Sequence, residues 1–277
     1  MDYKLELTLG YPITYEDIGT IYQPKIKEII EYNKLKNKEE YEKFKQGVVE
    51  EISGIQPYDK LLTPFLINKE SLEGLSEEEL NQINEFDLII HNQMQIEQSN
   101  KCNNQADEGM LDILMEAIKF FYKSENVNFI MDKLEDGTEL VGILINDEIF
   151  INRDNYTNLE KIILEINKAE KPKIEKPPEF KSERQRDIWE KIQKGRQRKK
   201  DKESLNMATL INIIKFAGKT YIPSTEILNM TIWEVYNAYS SIIETDSYDK
   251  NMAMMPTIIA NGGKMDNIKH ISQSLKI

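Results

Sequence analysis

Cysteine is almost missing from this sequence: 277 residues contain one, Cys102, and histidine occurs only at His91 and His270. A single thiol excludes an internal disulfide and any multi-cysteine metal site, and it fits a reducing compartment. Set in Ser99-Asn100-Lys101-Cys102-Asn103-Asn104, it is expected to be an ordinary thiol in a polar loop that also marks a boundary. A histidine triad or metal site would need both His91, among apolar neighbours, and His270, in a polar tail far along the chain. No apolar run approaches the ~20 residues of a bilayer-spanning helix. The start, Met1-Asp2-Tyr3-Lys4-Leu5, lacks the basic segment and apolar run of a secretory signal. These absences predict a soluble protein without membrane anchor, cofactor or metal.

Other chemical signatures are also missing. Gly262-Gly263-Lys264 lacks the earlier glycine and the following Ser or Thr of a phosphate loop, since Ile258 and Met265 occupy those places. Asp246 and Asp249 lack the flanking ligands of a calcium loop. Glu77-Glu78-Glu79 is explained by the first turn of a helix, where acids favour the macrodipole. The residues therefore predict a protein that is not an enzyme.

Charge is present, and unevenly so. With 48 acids against 36 bases the net charge is −12, which favours solubility and repels other acids. Lys181 to Lys202 breaks the balance with ten bases and four acids, a local +6 that leaves −18 on the remainder. A basic helix bearing Trp189, Arg196, Arg198, Lys199 and Lys200 is expected to stay solvated or to dock on the acidic rest of this protein or of a neighbouring subunit. Phosphates are the alternative, with salt-dependent affinity from counterion release.

Hydrophobic periodicity outlines the fold. Tyr3, Leu5, Leu7 and Leu9 alternate with polar residues and predict a half-buried strand ended by Gly10-Tyr11-Pro12. A second strand is expected over Ile18 to Tyr22, then a helix with Pro24 as an early residue and Ile26, Ile29, Ile30 and Tyr32 on it. Short helices follow to about Asn100, with capping-box spacing at Asn37/Glu40 and Ser76/Glu79. From Glu108 to Glu170 the pattern is helix, three strands (127–134, 139–145, 148–151) and helix. Asp136-Gly137 and Asn146-Asp147 supply the turns, and Thr157/Glu160 caps the last helix. Residues 171–181, with Pro172, Pro177 and Pro178, read as an extended connector.

Ser204 to Met255 is the densest apolar stretch and predicts a buried helical hairpin. Its first helix, Leu205 to Ala217, is apolar on most sides and so should be enclosed. Its second has Ile232, Val235, Tyr236, Tyr239, Ile242 and Ile243 on one face, a Thr231/Glu234 capping box and a Met230/Val235 staple, and ends at Pro256. The outward face, with Glu234, Asn237, Ser240, Ser241 and Glu244, has no base, which argues against a DNA-reading helix. Of the aromatics here, Tyr221, Tyr236, Tyr239 and Tyr248 are expected in the core, while Trp233 at the margin of the stripe predicts a protein contact.

The run Arg184-Gln185-Arg186-Asp187-Ile188-Trp189-Glu190 to Tyr239, with Ile227-Leu228-Asn229-Met230-Thr231-Ile232-Trp233-Glu234 inside it, resembles tail proteins of phages and phage-derived particles of Gram-positive bacteria. The opening Leu7-Thr8-Leu9-Gly10-Tyr11-Pro12-Ile13 is similar to the start of such proteins. The resemblance spans both ends and covers the 108–170 module less well. It implies a non-enzymatic component of tail assembly or of the baseplate and hub, with no catalytic residues to carry over. Its implied partners are other tail or baseplate proteins in a multi-subunit assembly, that of a contractile particle, formed in the host cytoplasm.

The expectation is an α+β fold, mostly helical: a mixed region over 1–104, a small α+β module over 105–170, the connector 171–181, and the basic helix with a helical domain over 182–277. Partner contacts are expected at Trp189, Arg196, Arg198, Lys199, Lys200 and Trp233.

Overall fold

A computed structural model describes residues 3–46, 55–72, 77–103, 109–133, 139–172, 182–203, 206–219 and 221–261. The fold is α+β and mostly helical, with one two-stranded and one three-stranded antiparallel sheet. Two compact units are present: residues 1–172 with 224–237, and residues 173–223 with 238–276.

The first unit opens with α1 (Lys4–Leu9), a helix where alternation predicts a strand. Only Leu7 of the three leucines is buried; Leu5 and Leu9 are 68% and 54% exposed. Gly10 explains the reversal. Its φ of 66° makes it a left-handed helix stop, with its N–H and that of Tyr11 returning to Leu7 and Glu6 carbonyls. A short alternating run followed by glycine fits a capped turn of helix as well as a strand. The strands come next, β1 (Ile13–Tyr15) and β2 (Gly19–Ile21), with Ile13 opposite Ile21.

Pro24 stands outside the helix it was expected to begin. α2 (Ile26–Lys45) starts after Lys25, whose N–H donates to the Glu28 carboxylate at 2.9 Å. It runs through Asn37, so no new helix is capped there. Tyr32 and Lys36, both bonded to Glu116, hold the helical register across that point. Then come α3 (Pro57–Leu61), 3-10 turns at Thr63–Leu66 and Lys69–Ser71, α4 (Glu77–Gln82) and α5 (Glu85–Asn103). The expected polar loop from Ser99 through Cys102 is instead the last part of α5; polar side chains do not end a helix when no breaker interrupts them.

α6 (Met110–Tyr122) is the centre of this unit. Leu114, Ala117, Ile118 and Phe121 are buried, and the helix packs on α3, α5, β2 and the first 3-10 turn. At about 1.5–3 kcal/mol for each large apolar side chain removed from water, this face is a major source of stabilisation in the unit. The meander follows as β3 (Val127–Lys133), β4 (Glu139–Ile145) and β5 (Ile149–Asn152), with Val127 opposite Ile145 and Ile143 opposite Ile151. Asn146 and Asp147, at φ 53° and 61°, form the expected β4 to β5 turn. α7 (Tyr156–Ile166) closes the module. Thr157 does not cap it. The chain enters α7 through Asn155, whose side chain binds Asn152 N–H and the carbonyls of Phe150 and Asp17, and Glu160 turns inward.

The unit is completed from far along the sequence. α10 (Ser224–Ile227) and the segment after it bring Ile227, Ile232, Trp233 and Val235 into the core. The N–H groups of Ile26 and Lys27, which the first turn of α2 leaves without helical partners, donate to the carbonyls of Met230 and Leu228 at 2.9 and 3.0 Å.

The second unit holds α8 (Glu183–Glu203), α9 (Met207–Phe216) and the greater part of α11 (Ile232–Ala260). α9 is capped by Asn206, which accepts from Thr209 N–H at 2.8 Å. It is not enclosed all round: Leu210 and Ile214 are buried, but Ala208 and Phe216 are exposed, Phe216 by 71%. Tyr221 is likewise exposed rather than core. The Thr231/Glu234 box forms as expected, with Thr231 N–H on the Glu234 carboxylate at 2.7 Å and Glu234 N–H on the Thr231 hydroxyl at 3.2 Å. α11 does not stop at Pro256 but carries it inside. One missing N–H near a helix end is tolerated, and Asn261 N–H still reaches the Thr257 carbonyl. Ser76, Asp136-Gly137, the connector from 173 to 181, Leu205 and the tail from 262 on, with His270, lie outside the described residues.

Two carboxylates tie the face between α2 and α6. Burial pushes Glu28 up, but the ammonium of Lys123 at 2.8 Å and the Lys25 N–H outweigh it and hold the carboxyl low. For Glu116, burial is likewise outweighed by Lys36 at 2.7 Å and by the Tyr32 hydroxyl. Both folded pKa values lie below the unfolded ones, so their stabilisation is present above the ordinary glutamate range and lost as pH falls through the depressed values. Urea midpoints followed from pH 7 to 3 should fall below about pH 4.5, and a Glu116→Gln variant should show a smaller fall.

Candidate functional site

Three places in the molecule combine exposure with chemistry. In the first unit, Lys171 Nζ lies 2.7 Å from Glu160 of α7 and 3.0 Å from Glu85 of α5. Glu160 is buried, and burial pushes its carboxyl up; Lys171 pulls it back without cancelling the rise, and Glu85 adds to it. Two carboxylates sharing one ammonium form a closed structural tie, and both already hold a partner. Nearby, Arg153 donates to the Gln82 carbonyl and pairs with Asp87, and Lys69 donates to the Ile83 carbonyl. Among the described residues no group of three or more His, Cys, Asp or Glu is placed to hold a metal ion. His91 is exposed on α5 beside Gln95.

The second place is an open groove of about 520 Å³ between α5 and the end of the meander. Phe86, Ile90, Met94, Met131, Val141 and Phe150 make its walls, and Asp87 and Asp154 stand on its rim beside Arg153. Met94 and Met131 are 42% and 53% exposed.

The third is α8, the basic helix that charge alone singled out. Ile188, Ile192 and Gly195 follow at four and three residues and so form one stripe. Both isoleucines are 49% exposed. Arg184 and Lys191 border the stripe and are exposed too. Of the expected contact residues, Trp189 is half-buried and Arg196 exposed on this helix. Arg198, Lys199 and Lys200 are also on α8, their side chains outside the described residues.

Trp233 is elsewhere. It is 4% exposed in the first unit, with Lys168 Nζ 2.9 Å from its ring centre, and is a core residue rather than a contact surface. Trp233 lies at the margin of its own helix's stripe because what covers this side of α11 comes from the first 172 residues, which periodicity within one helix cannot reveal.

With this geometry in view, the chain was compared with known proteins. It matches no family model, no curated protein and no solved structure. Among the described residues no helix is long and apolar enough to cross a membrane.

Sequence reasoning located α8 but missed its isoleucines, whose signal was the four-residue spacing of Ile188 and Ile192 inside a run read only for charge. It also missed the groove, which joins residues from α5, β3, β4 and β5 that no local pattern links.

Proposed function

We propose that this chain is a non-enzymatic structural or assembly component of a phage-like tail, in the baseplate or hub region, working through contacts with other proteins. The observation that carries this reading is the unpartnered apolar stripe of α8, bordered by exposed bases. Side chains left half in water at helical spacing favour a protein surface that covers them. The uncharged end of α11 supports it as well, since Met252, Met254 and Ile259 are exposed there. Glu28, Glu85, Glu116 and Glu160 of the first unit are each paired with a lysine in structural ties, which favours a scaffold over a hydrolytic centre at those carboxylates. The tail context itself rests on the sequence resemblance, with assembly in the host cytoplasm.

The test is quantitative mass spectrometry of purified particles, counting this chain against the major tail-tube subunit. A fixed small ratio is expected for a resident component. Abundance in the lysate with absence from particles would make it a transient assembly factor, and absence of any association with particles or their assembly intermediates would end the tail reading.

Nucleic acid is the second reading, and the same exposed bases favour it. Salt-titrated gel shifts with duplex and single-stranded DNA separate the two. Reversal of Arg196, Arg198, Lys199 and Lys200 to Glu is expected to leave any weak binding unchanged. A drop in the salt slope with those reversals would move the function to phosphate binding.

A further inference from the structure

The charge of this chain is divided between its two units. Each carries 18 bases, but the first has 37 acids and the second 11, so the net charges are −19 and +7. Two copies of a uniformly acidic protein repel each other; two copies divided in this way attract when the basic unit of one approaches the acidic unit of the other. Attraction alone sets no register. Register requires apolar surfaces that fit, and among the described residues each unit offers an exposed one.

On the basic side it is the α8 stripe. Ile188 and Ile192 are about 6 Å apart along the helix axis, one turn, with Arg184 and Lys191 at their side. On the acidic side it is the groove between α5 and the meander, apolar along its walls, with the carboxylate of Asp154 on its rim beside Asp87, which is already paired with Arg153. Its exposed Met94 and Met131 are unbranched and polarizable, so they can adjust around branched side chains. An amphipathic helix with two anchors one turn apart, flanked by cations, laid in an apolar groove edged by carboxylates is a recurrent mode of helix recognition.

We propose that this groove receives α8 of a second copy of the chain, with Ile188 and Ile192 entering it and Arg184 and Lys191 drawn to the Asp154 carboxylate on the rim and to the acidic unit around it. The contact joins two different surfaces, so it is head-to-tail: each copy keeps a free helix and a free groove, and association continues into a ring or an open row. It deepens the protein-contact reading above by naming the partner, and its failure would leave the particle count of that reading untouched.

Sedimentation velocity on the full chain tests it. In about 50 mM salt the mass should rise with concentration past that of a dimer, and about 500 mM salt should return it towards the monomer, because the opposed charges are screened. A helix variant (Ile188→Asp with Ile192→Asp) and a groove variant (Met94→Asp with Met131→Asp) change side chains that are already exposed, and each should be monomeric with an unchanged circular dichroism spectrum. Mixed together they should form a complex of one each and stop there, since one supplies the groove and the other the helix. The charge variant Arg184→Glu with Lys191→Glu should weaken association at least about tenfold in low salt. A single monomeric mass at every salt and concentration overturns the proposal. So does association that survives the isoleucine changes, or a mixture of the two variants that stays monomeric.

Discussion

Trp233→Ala should unfold the first unit at markedly lower urea, with a loss of about 3–5 kcal/mol, as expected for truncating a buried aromatic. Trp233 is closed in by the body of the protein, between the buried Ile232 and Val235, and Lys168 lies over its ring. Partial burial lowers the Lys168 pKa and Lys4 lowers it further, against Glu165, while the ammonium faces the indole ring. Trp233→Phe should recover more than half of the loss, because most of the apolar area returns. Urea titrations followed by circular dichroism check both variants. A Trp233→Ala protein that keeps its urea midpoint would mean that the side chain is accessible and would return it to the role of a partner contact.

The second large effect belongs to Lys171, and its size should depend on pH. Lys171→Met leaves Glu85 and Glu160 facing each other with the shared cation gone. Removing one member of a buried ion cluster costs about 3–5 kcal/mol when the remaining charge has no escape. Here an escape exists. The Glu160 carboxyl already lies above the usual carboxylate range, chiefly through burial, and loss of the ammonium should raise it further. A carboxyl whose folded pKa exceeds its unfolded one favours the fold below the unfolded value and loses that contribution as pH rises through the folded one. The Lys171→Met protein should therefore be close to wild type near pH 5 and most destabilised near pH 8. A further Glu160→Gln change should flatten the pH dependence. A destabilisation equal at both pH values would place the role of Lys171 in packing rather than charge.

What could be read in the sequence was whatever local spacing decides. The helix, meander and helix from α6 to α7 follow from periods of 3.6 and 2 interrupted by turn residues, and Asn146-Asp147 sits where such residues are required. The Thr231/Glu234 cap was legible for the same reason, as two residues three apart decide it. The misreadings share a cause. Leu5, Leu7 and Leu9 alternate like a strand but pair with no strand among the described residues, and Gly10 makes the segment a capped helix. Asn37 and Thr157 have capping-box spacing, but side chains from other elements decide their surroundings. Trp233 is covered from a distant part of the sequence, with Lys168 over its ring. For the candidate surface, α8 was legible from charge and its groove was not, since one is a single element and the other is assembled from four.

The completion of the first unit by Ser224–Asn237 has a consequence for how the protein is made. A ribosome delivers residues 1–172 first, then the 51 residues of 173–223, and only then the segment holding Ile227, Ile232, Trp233 and Val235. At roughly 5–20 residues per second, the body waits several seconds with the place of that segment open. During that interval the N–H groups of Ile26 and Lys27 have water in place of the Met230 and Leu228 carbonyls. Nascent chains halted before residue 224 should thus be cut readily by protease within residues 1–172, and those halted well beyond residue 260 should resist. The unit whose translation begins first therefore stays open until residue 237, while the chain of the other unit is already emerging.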